Sequence, residues 1–457
     1  MAGNSKMNGQ KPRAATLNLG CKVNHYETEA IRQQLTDRGF SIVPFEEWAD
    51  VYVVNTCTVT AEAARKSRQM TRRARRLNPQ ALVVAVGCDV EMEREMLDAD
   101  IMIGNKGKSK VAKIVCERLS LNSSESPDSD RFTPLSPNDL FENMGEVTAQ
   151  NETRATVKIQ DGCDNFCSYC AIPYVRGRVR SRLPDQVVAE VESLAAHGFV
   201  EIVLTGIHVC SYGKEWQWNG PRLLDLADRL SKIDGIRRIR LGSIEPNSVT
   251  REFARRFAQN AKLCPHLHLS LQSGARKTLE RMNRNYDPTR YRKAVGDLRA
   301  FSPQISLTTD VIVGFPGESA DDHLESLEFC RSIGFNNIHV FRYSVREGTV
   351  AARLPNRVSG AVAEERSREF LALAGDLRTR ISRSLVGTIQ DVLLEQKNQT
   401  GYLVGYSAGY IPILVSDLEG GRPSVAPGNL VRVRVIESQG DQAIAVPLPE
   451  TLIIQDS

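Results

Sequence analysis

The sequence lacks several features that would place it quickly. No apolar run approaches the length of a membrane span, so nothing in it reads as a membrane-crossing segment. Residues 1–13 are polar and lack the apolar core of a secretion signal, and they read as a disordered tail. Histidine is scarce, with seven in 457 residues, and none lies near the densest group of cysteines. Without an export signal, the ten cysteines point to a reducing, cytoplasmic setting and to metal ligation over disulfides. Excess charge is small too: a net +4 does not by itself mark a nucleic-acid binder, so charge must be read by its placement. What remains is ordinary for a soluble globular chain, 41% hydrophobic and 25% charged, of a length that suggests about three domains.

The stretch DGCDNFCSYC at 161–170 holds three thiols, Cys163, Cys167 and Cys170, spaced C-x3-C-x2-C. A structural zinc site takes four ligands, usually as two short pairs, and the next cysteine, Cys210, is far away. A zinc knuckle borrowing a distant ligand is the alternative, and its ligand count is short. An iron–sulfur cube normally takes four cysteines, so three leave one iron open to a substrate or cofactor.

The N-terminal region repeats one arrangement three times. ATLNLGC, DVYVVNTC and ALVVAVGC each read as an apolar strand ending in a cysteine, namely Cys21, Cys57 and Cys88. Helical periodicity follows the first two, which implies a parallel sheet. Ligands of such sheets bind outside the carboxyl ends of the strands, so three distant thiols can meet at one edge and hold a second cluster. A single buried cysteine is common and needs no function; Cys116, Cys210, Cys264 and Cys330 show no pattern and read as core thiols. GNKGKS at 104–109 imitates a phosphate-binding loop, but Met102 stands where its first glycine belongs, which rejects a nucleotidase.

Residues 120–150, rich in Ser, Pro and Asp at their start, read as a linker. From 151 to 383 a strand-then-helix pattern recurs six times, compatible with an open or partial barrel. Its strands are expected at 155–160, 201–205, 238–242, 266–272, 306–313 and 337–343. The cysteine stretch follows the first strand and therefore sits at the mouth. Other strand ends offer Gly206, Ser243, Glu245, Gln272, Gly314 and Gly317. Each is also ordinary loop punctuation. His266 and His268 alternate on one strand, and with no third ligand in view they read as packed interior histidines. Residues 384–457 read as five short strands closing a small barrel. Acidic residues outnumber basic ones there.

Two basic stretches are candidates for phosphate contacts. The helical run at 65–76 carries Arg72, Arg73 and Arg76; a solvated face is the bland account of it. The segment at 174–182, if extended, lines Arg176, Arg178, Arg180 and Arg182 along one side.

The C-x3-C-x2-C spacing resembles that of the radical S-adenosylmethionine (SAM) enzymes. The whole chain resembles the methylthiotransferases of that superfamily, through NLGCKVN at 18–24, VNTC at 54–57, GC at 87–88, IQDGC at 159–163 and FRYSVREGT at 341–349. The resemblance implies an α/β architecture: a parallel-sheet N-terminal domain at 14–119, a radical SAM partial (β/α)6 barrel at 151–383 and a TRAM barrel at 384–457. It implies two [4Fe-4S] clusters, one on Cys163, Cys167 and Cys170 with an iron open to SAM, the other on Cys21, Cys57 and Cys88. Gly206, Ser243, Glu245, Gln272, Gly314 and Gly317 would lie around SAM. An electron donor such as flavodoxin or ferredoxin is implied as a partner; the sulfur source is not. Leu-Gly-Cys-Lys-Val-Asn looks like the branch acting on threonylcarbamoyladenosine in tRNA, adjacent to the anticodon. The isopentenyladenosine branch, the ribosomal-protein branch and a noncatalytic iron–sulfur protein that binds RNA or senses redox state are the competing readings.

Overall fold

The computed structural model describes residues 11–121, 132–216, 220, 222–416 and 425–452. The expected tail at 1–13 lies mostly outside them, and Arg13 already belongs to the first strand. Contacts divide the chain into two compact units: Met1–Ala149 with Gln160–Asn165 and Cys170–Arg182, and Gln150–Ile159 with Phe166–Tyr169 and Leu183–Ser457.

The first unit is built on a five-stranded parallel sheet. Its strands are β1 (Arg13–Asn18), β2 (Ser41–Val43), β3 (Val51–Thr56), β4 (Leu82–Gly87) and β5 (Ile101–Ile103), in the order β2-β1-β3-β4-β5. Pattern reading found the three central strands and missed the two edge strands, whose three residues are too short to show a period. Both faces of β3 and β4 are covered, so these strands read as continuous apolar runs. Helix Ala61–Leu77 shows the complementary logic: Ala64, Ser67, Met70, Thr71 and Ala74 bury one face, and Thr60 caps it by accepting from the Ala63 amide. The described part of the expected linker is not loose. Gln34 donates to the Met144 carbonyl at 2.9 Å, and Glu142 accepts from the amides of Gly107 and Ser109 at 3.0 and 2.7 Å. Residues 122–131 of that linker lie outside the described residues.

The second unit holds six parallel strands, β6 (Ala155–Lys158), β7 (Glu201–Thr205), β8 (Arg238–Leu241), β9 (His266–His268), β10 (Ser306–Val313) and β11 (Asn337–Arg342). They form two three-stranded sheets, β8-β7-β6 and β9-β10-β11, joined by the bridges Ile239 to Leu263 and Ile244 to Leu269. Alternation along the strands separates two faces. Val157, Ile202, Leu204, Ile239, Leu267 and Leu307 pack with Val187, Leu226, Leu298 and Phe329 of the surrounding helices. The opposite parity presents Glu201, Arg240, His268, Thr308, Asp310 and His339, so the concave face is polar. The expected strand 266–272 stops at His268; the chain then bends through Gln272, whose φ is +69°.

A closed barrel ends the chain: β12 (Ile389–Lys397), β13 (Leu403–Ser407), β14 (Pro412–Val415), β15 (Leu430–Gln439) and β16 (Gln442–Leu452), in the order β12-β13-β14-β16-β15. Val392, Leu394, Leu403, Ile413, Val433 and Ala445 alternate into its interior, as the sequence pattern anticipates. Closure leaves it no unpaired edge. Within this unit its turn reaches β8: Arg238 and Arg240 donate to the carbonyls of Tyr406 and Ala408 at 3.3 and 3.1 Å.

Candidate active site

In the first unit β1, β3 and β4 are neighbours in register, Asn18 beside Asn55 and Thr56 beside Gly87. Cys21, Cys57 and Cys88 follow their carboxyl ends and so arrive at one edge of the sheet. A Cβ placed on Gly20 would lie 3.2 Å from Cys57 Cβ. The approach is locked by hydrogen bonds between the three strand ends. Asn24 donates to the Thr56 carbonyl at 2.9 Å, and Thr56 Oγ1 donates to the Val86 carbonyl at 2.7 Å and accepts from the Asp89 amide at 3.1 Å. Gly87 has φ +101°, and a Cβ there would stand 2.6 Å from Asn55 Oδ1, so only glycine turns the chain tightly enough to present Cys88. Cys57 and Cys88 are buried and Cys21 is exposed, which leaves one open side. Burial pushes the Cys57 thiol up to about 12, so a thiolate there needs a compensating cation. Three converging thiols beside buried positive charge are a donor set that fits an iron–sulfur cluster with one iron not ligated by protein.

That positive charge is Arg176. Its guanidinium is fully buried, with Nη1 3.0 Å from both Glu27 and Asp161 and Nη2 donating to Asn24 Oδ1 at 2.6 Å. Lys108 pairs with the same Glu27. The basic segment is therefore not the exposed extended strand that the sequence suggests. It is helical over Ile172–Arg176, and Gln160–Asp161 then pairs antiparallel with Arg180–Ser181. Gly162 makes the close approach possible, because a Cβ there would stand 1.8 Å from the Arg178 carbonyl oxygen. Arg180 donates to the Arg176 carbonyl at 2.9 Å, and Arg182 donates to the Tyr26 hydroxyl at 3.2 Å. Arg176, Arg180 and Arg182 are thus buried braces and not phosphate contacts; Arg178 alone of the four is exposed, 3.8 Å from Asp164. Burial works against the Arg176 charge, and Asp161, Cys88 and Glu27 hold its pKa well above the ordinary value. On the helix Ala61–Leu77, by contrast, Arg72, Arg73 and Arg76 all face solvent.

In the second unit Cys167 is buried. Arg284 Nη1 donates to its sulfur at 3.1 Å, and Nη2 donates to Glu245 Oε1 at 2.7 Å. His208 Nε2 lies 3.2 Å from the other Glu245 oxygen. Burial opposes the Arg284 charge, yet Tyr286, Tyr169, Cys167 and Glu245 raise its pKa. Glu245 is thus an engaged, half-buried carboxylate, and Ser243 beside it is exposed. Gly206 follows β7 directly and is half-buried. Gln272 joins the sheet by donating to the Asp310 carbonyl and accepting from the Ile312 amide, both at 2.9 Å. The Gly314 amide donates to Glu318 at 2.6 Å, Arg366 secures that carboxylate at 2.7 Å, and the Gly317 amide donates to the Asn356 carbonyl at 2.8 Å. Sequence reading missed Arg284, which stands alone in a charged loop and carries no motif.

It also missed what the concave face assembles. His268, Asp310 and His339, from β9, β10 and β11, bring one ligand atom each within 4.8 Å of one another, the one such set among the described residues. His266 and His268 both contact Thr308 Oγ1, at 3.0 and 3.1 Å, and His268 Nε2 lies 3.3 Å from Asp310. The histidine pair thus has companions that no sequence spacing reveals, because they lie on two later strands.

Residues 157–330 match the model of the radical SAM superfamily, and residues 13–104 match Uncharacterized protein family UPF0004. Fold and thiol pattern together define a radical SAM enzyme. The threonylcarbamoyladenosine tRNA methylthiotransferase MtaB of Bacillus subtilis (strain 168) is 35% identical, over 92% of this chain and 93% of its own. The MtaB of Aquifex aeolicus is 38% identical, over 77% of this chain and 85% of its own. The tRNA-2-methylthio-N(6)-dimethylallyladenosine synthase of Natranaerobius thermophilus is 34% identical, over 87% and 89%. Among solved structures, the radical SAM methyltransferase TsrM of Kitasatospora setae shares the fold, with a TM-score of 0.54 and 17% identity, covering 75% of this chain and 77% of that one. The chain belongs to the radical SAM methylthiotransferase family.

Proposed function

We propose that the protein inserts a methylthio group at C2 of N6-threonylcarbamoyladenosine adjacent to the anticodon of tRNA. The observation that carries the reading is the meeting of Cys21, Cys57 and Cys88 at one sheet edge, in addition to the C-x3-C-x2-C stretch. Cys163, Cys167 and Cys170 would hold one [4Fe-4S] cluster; Cys21, Cys57 and Cys88 would hold the other. When bound, the first cluster with one SAM would supply a 5′-deoxyadenosyl radical, the second cluster would supply the transferred sulfur, and a second SAM would supply the methyl group that this sulfur carries. The aromatic C2–H bond resists acid–base chemistry, which is why the family needs a radical.

The chain's own residues do the positioning. Arg284 places a fixed cation against Cys167, and hydrogen bonds to cluster sulfurs favour the reduced state. Glu245, held by Arg284 with His208 Nε2 3.2 Å from its other oxygen, would offer an oriented carboxylate to the polar end of SAM. Gly206, Ser243, Gln272, Gly314 and Gly317 would line the remainder of that pocket. Arg176 compensates the thiolates at the second site. Arg72, Arg73 and Arg76 would meet tRNA phosphates, the C-terminal barrel serves as the family's TRAM module, and a flavodoxin- or ferredoxin-type donor would supply electrons in the cytoplasm. The substrate reading is supported by the Gly20-Cys21-Lys22-Val23-Asn24 motif and by the names of the two MtaB relatives. Mass spectrometry of tRNA nucleosides from a deletion strain tests it. Loss of 2-methylthio-threonylcarbamoyladenosine, restored by this protein, is expected; loss of the isopentenyl analogue instead would move the chain to the neighbouring branch.

A further inference from the structure

Relatives named for two different adenosine substituents match this chain at 35% and 34% identity, so identity alone does not choose between them. The polar face of β9–β11 carries groups that bear on the choice. The threonylcarbamoyl group carries N–H groups, carbonyl oxygen, a hydroxyl and a carboxylate. The dimethylallyl group carries no polar atom at all.

We propose that His268, Asp310 and His339 form the subsite that receives the threonylcarbamoyl group, with Phe341 as the adjoining base platform. The assignment rests on the threonylcarbamoyladenosine reading above and names the residues that would enforce it.

Three observations support it. First, the cluster lies on the polar face of β9–β11, opposite the apolar face that packs on the helices, with Asp310 directly beside His339 in register. Second, the group is preorganised. Thr308 Oγ1 fixes His268 through Nδ1 at 3.1 Å, and His268 Nε2 faces Asp310 at 3.3 Å. These contacts orient the ring and the carboxylate before any ligand arrives. Both ring nitrogens of His268 are thereby engaged, which favours hydrogen-bonded recognition over a metal ion at this cluster. Third, His339 is exposed, and Phe341, two residues along the same face, is 47% exposed despite its ring. An apolar ring left open beside polar groups suits a base taken out of its stack, which nucleic-acid enzymes read by stacking and edge hydrogen bonds.

Donor and acceptor chemistry matches group by group. The Asp310 carboxylate accepts from substituent N–H or O–H, and the imidazole of His339 donates to its carbonyl or carboxylate. An isopentenyl chain in the same place would strip water from these groups and return no partner, the asymmetry that lets a hydrogen-bonding site reject an apolar analogue strongly.

The test uses the reconstituted full-length enzyme and two anticodon stem-loop RNAs, one bearing threonylcarbamoyladenosine and one isopentenyladenosine. Wild type, His339→Leu, His339→Gln and Phe341→Ala are compared for kcat and KM, with iron content as the control for folding. His339→Leu is expected to raise KM for the threonylcarbamoyl RNA roughly 10- to 100-fold, the loss of one charge-assisted hydrogen bond. His339→Gln, which keeps a donor, should recover most of it, and Phe341→Ala should weaken RNA of either kind. If wild type modifies the threonylcarbamoyl RNA while His339→Leu, with full iron, leaves its KM unchanged, the subsite is wrong and the substrate stands. If wild type modifies only the isopentenyl RNA, the substrate reading fails and the subsite falls with it.

Discussion

Arg284 donates a hydrogen bond to the sulfur of Cys167 across 3.1 Å. The same guanidinium holds Glu245 at 2.7 Å, so one side chain couples Cys167, the proposed cluster ligand, to the carboxylate that follows β8. Arg284→Gln removes the charge and loosens both contacts. The first cluster should become harder to reduce by on the order of 60 mV, a factor of ten for a one-electron couple. An EPR-monitored redox titration reads this directly, and a midpoint that does not move would show that Arg284 only packs against the loop.

The two thiol sets should separate by role. Reconstituted wild type is expected to carry about eight irons per chain, and Cys57→Ala about four. Cys163→Ala should abolish formation of 5′-deoxyadenosine from SAM, whereas Cys57→Ala should retain it and lose methylthiolation. Normal methylthiolation by Cys57→Ala would contradict the assignment of the second site.

Arg176 is a buried cation shared by Glu27, Asp161 and Asn24. Arg176→Met takes from Asp161 its nearest cation and leaves Glu27 with Lys108 alone, the loss of a buried partner that costs about 3–5 kcal/mol. The melting temperature should fall by several degrees or more, and iron at the second site should fall with it. Arg178→Gln, at an exposed position of the same segment, should change neither.

The contrast between Arg176 and Arg178 marks the limit of reading this chain without its structure. Strand–cysteine units were legible because burial on both faces writes an unbroken apolar run before each thiol, as in ALVVAVGC. The closed terminal barrel was legible because Val392, Leu394, Val431 and Val433 alternate in the sequence as they do in space. Arginines at 176, 180 and 182 were not legible as braces. Their partners Glu27, Arg176 and Tyr26 include residues about 150 positions away, and a buried arginine spells the same as an exposed one. His268 with Asp310 and His339 failed for the same reason: three parallel strands, with helices between them, supply one residue apiece.

With Arg178, the exposed Arg72, Arg73 and Arg76 of helix Ala61–Leu77 are the remaining basic candidates for RNA among those read from the sequence. Replacing the three helix arginines with Gln should weaken tRNA binding and flatten the slope of log affinity against log salt by roughly two to three units, about 0.9 or less per phosphate contact. Filter binding across a salt series reads the slope. An unchanged slope would return that helix to a solvated face.

The central claim is tested most directly by a single-turnover reaction. Reconstituted protein, SAM, a reductant and an anticodon stem-loop containing threonylcarbamoyladenosine are mixed without oxygen, and the RNA is digested to nucleosides for mass spectrometry. The account predicts 2-methylthio-threonylcarbamoyladenosine, formed together with 5′-deoxyadenosine and lost in both Cys163→Ala and Cys57→Ala. Formation of 5′-deoxyadenosine by protein with both clusters loaded, with the threonylcarbamoyladenosine recovered unchanged, would contradict it.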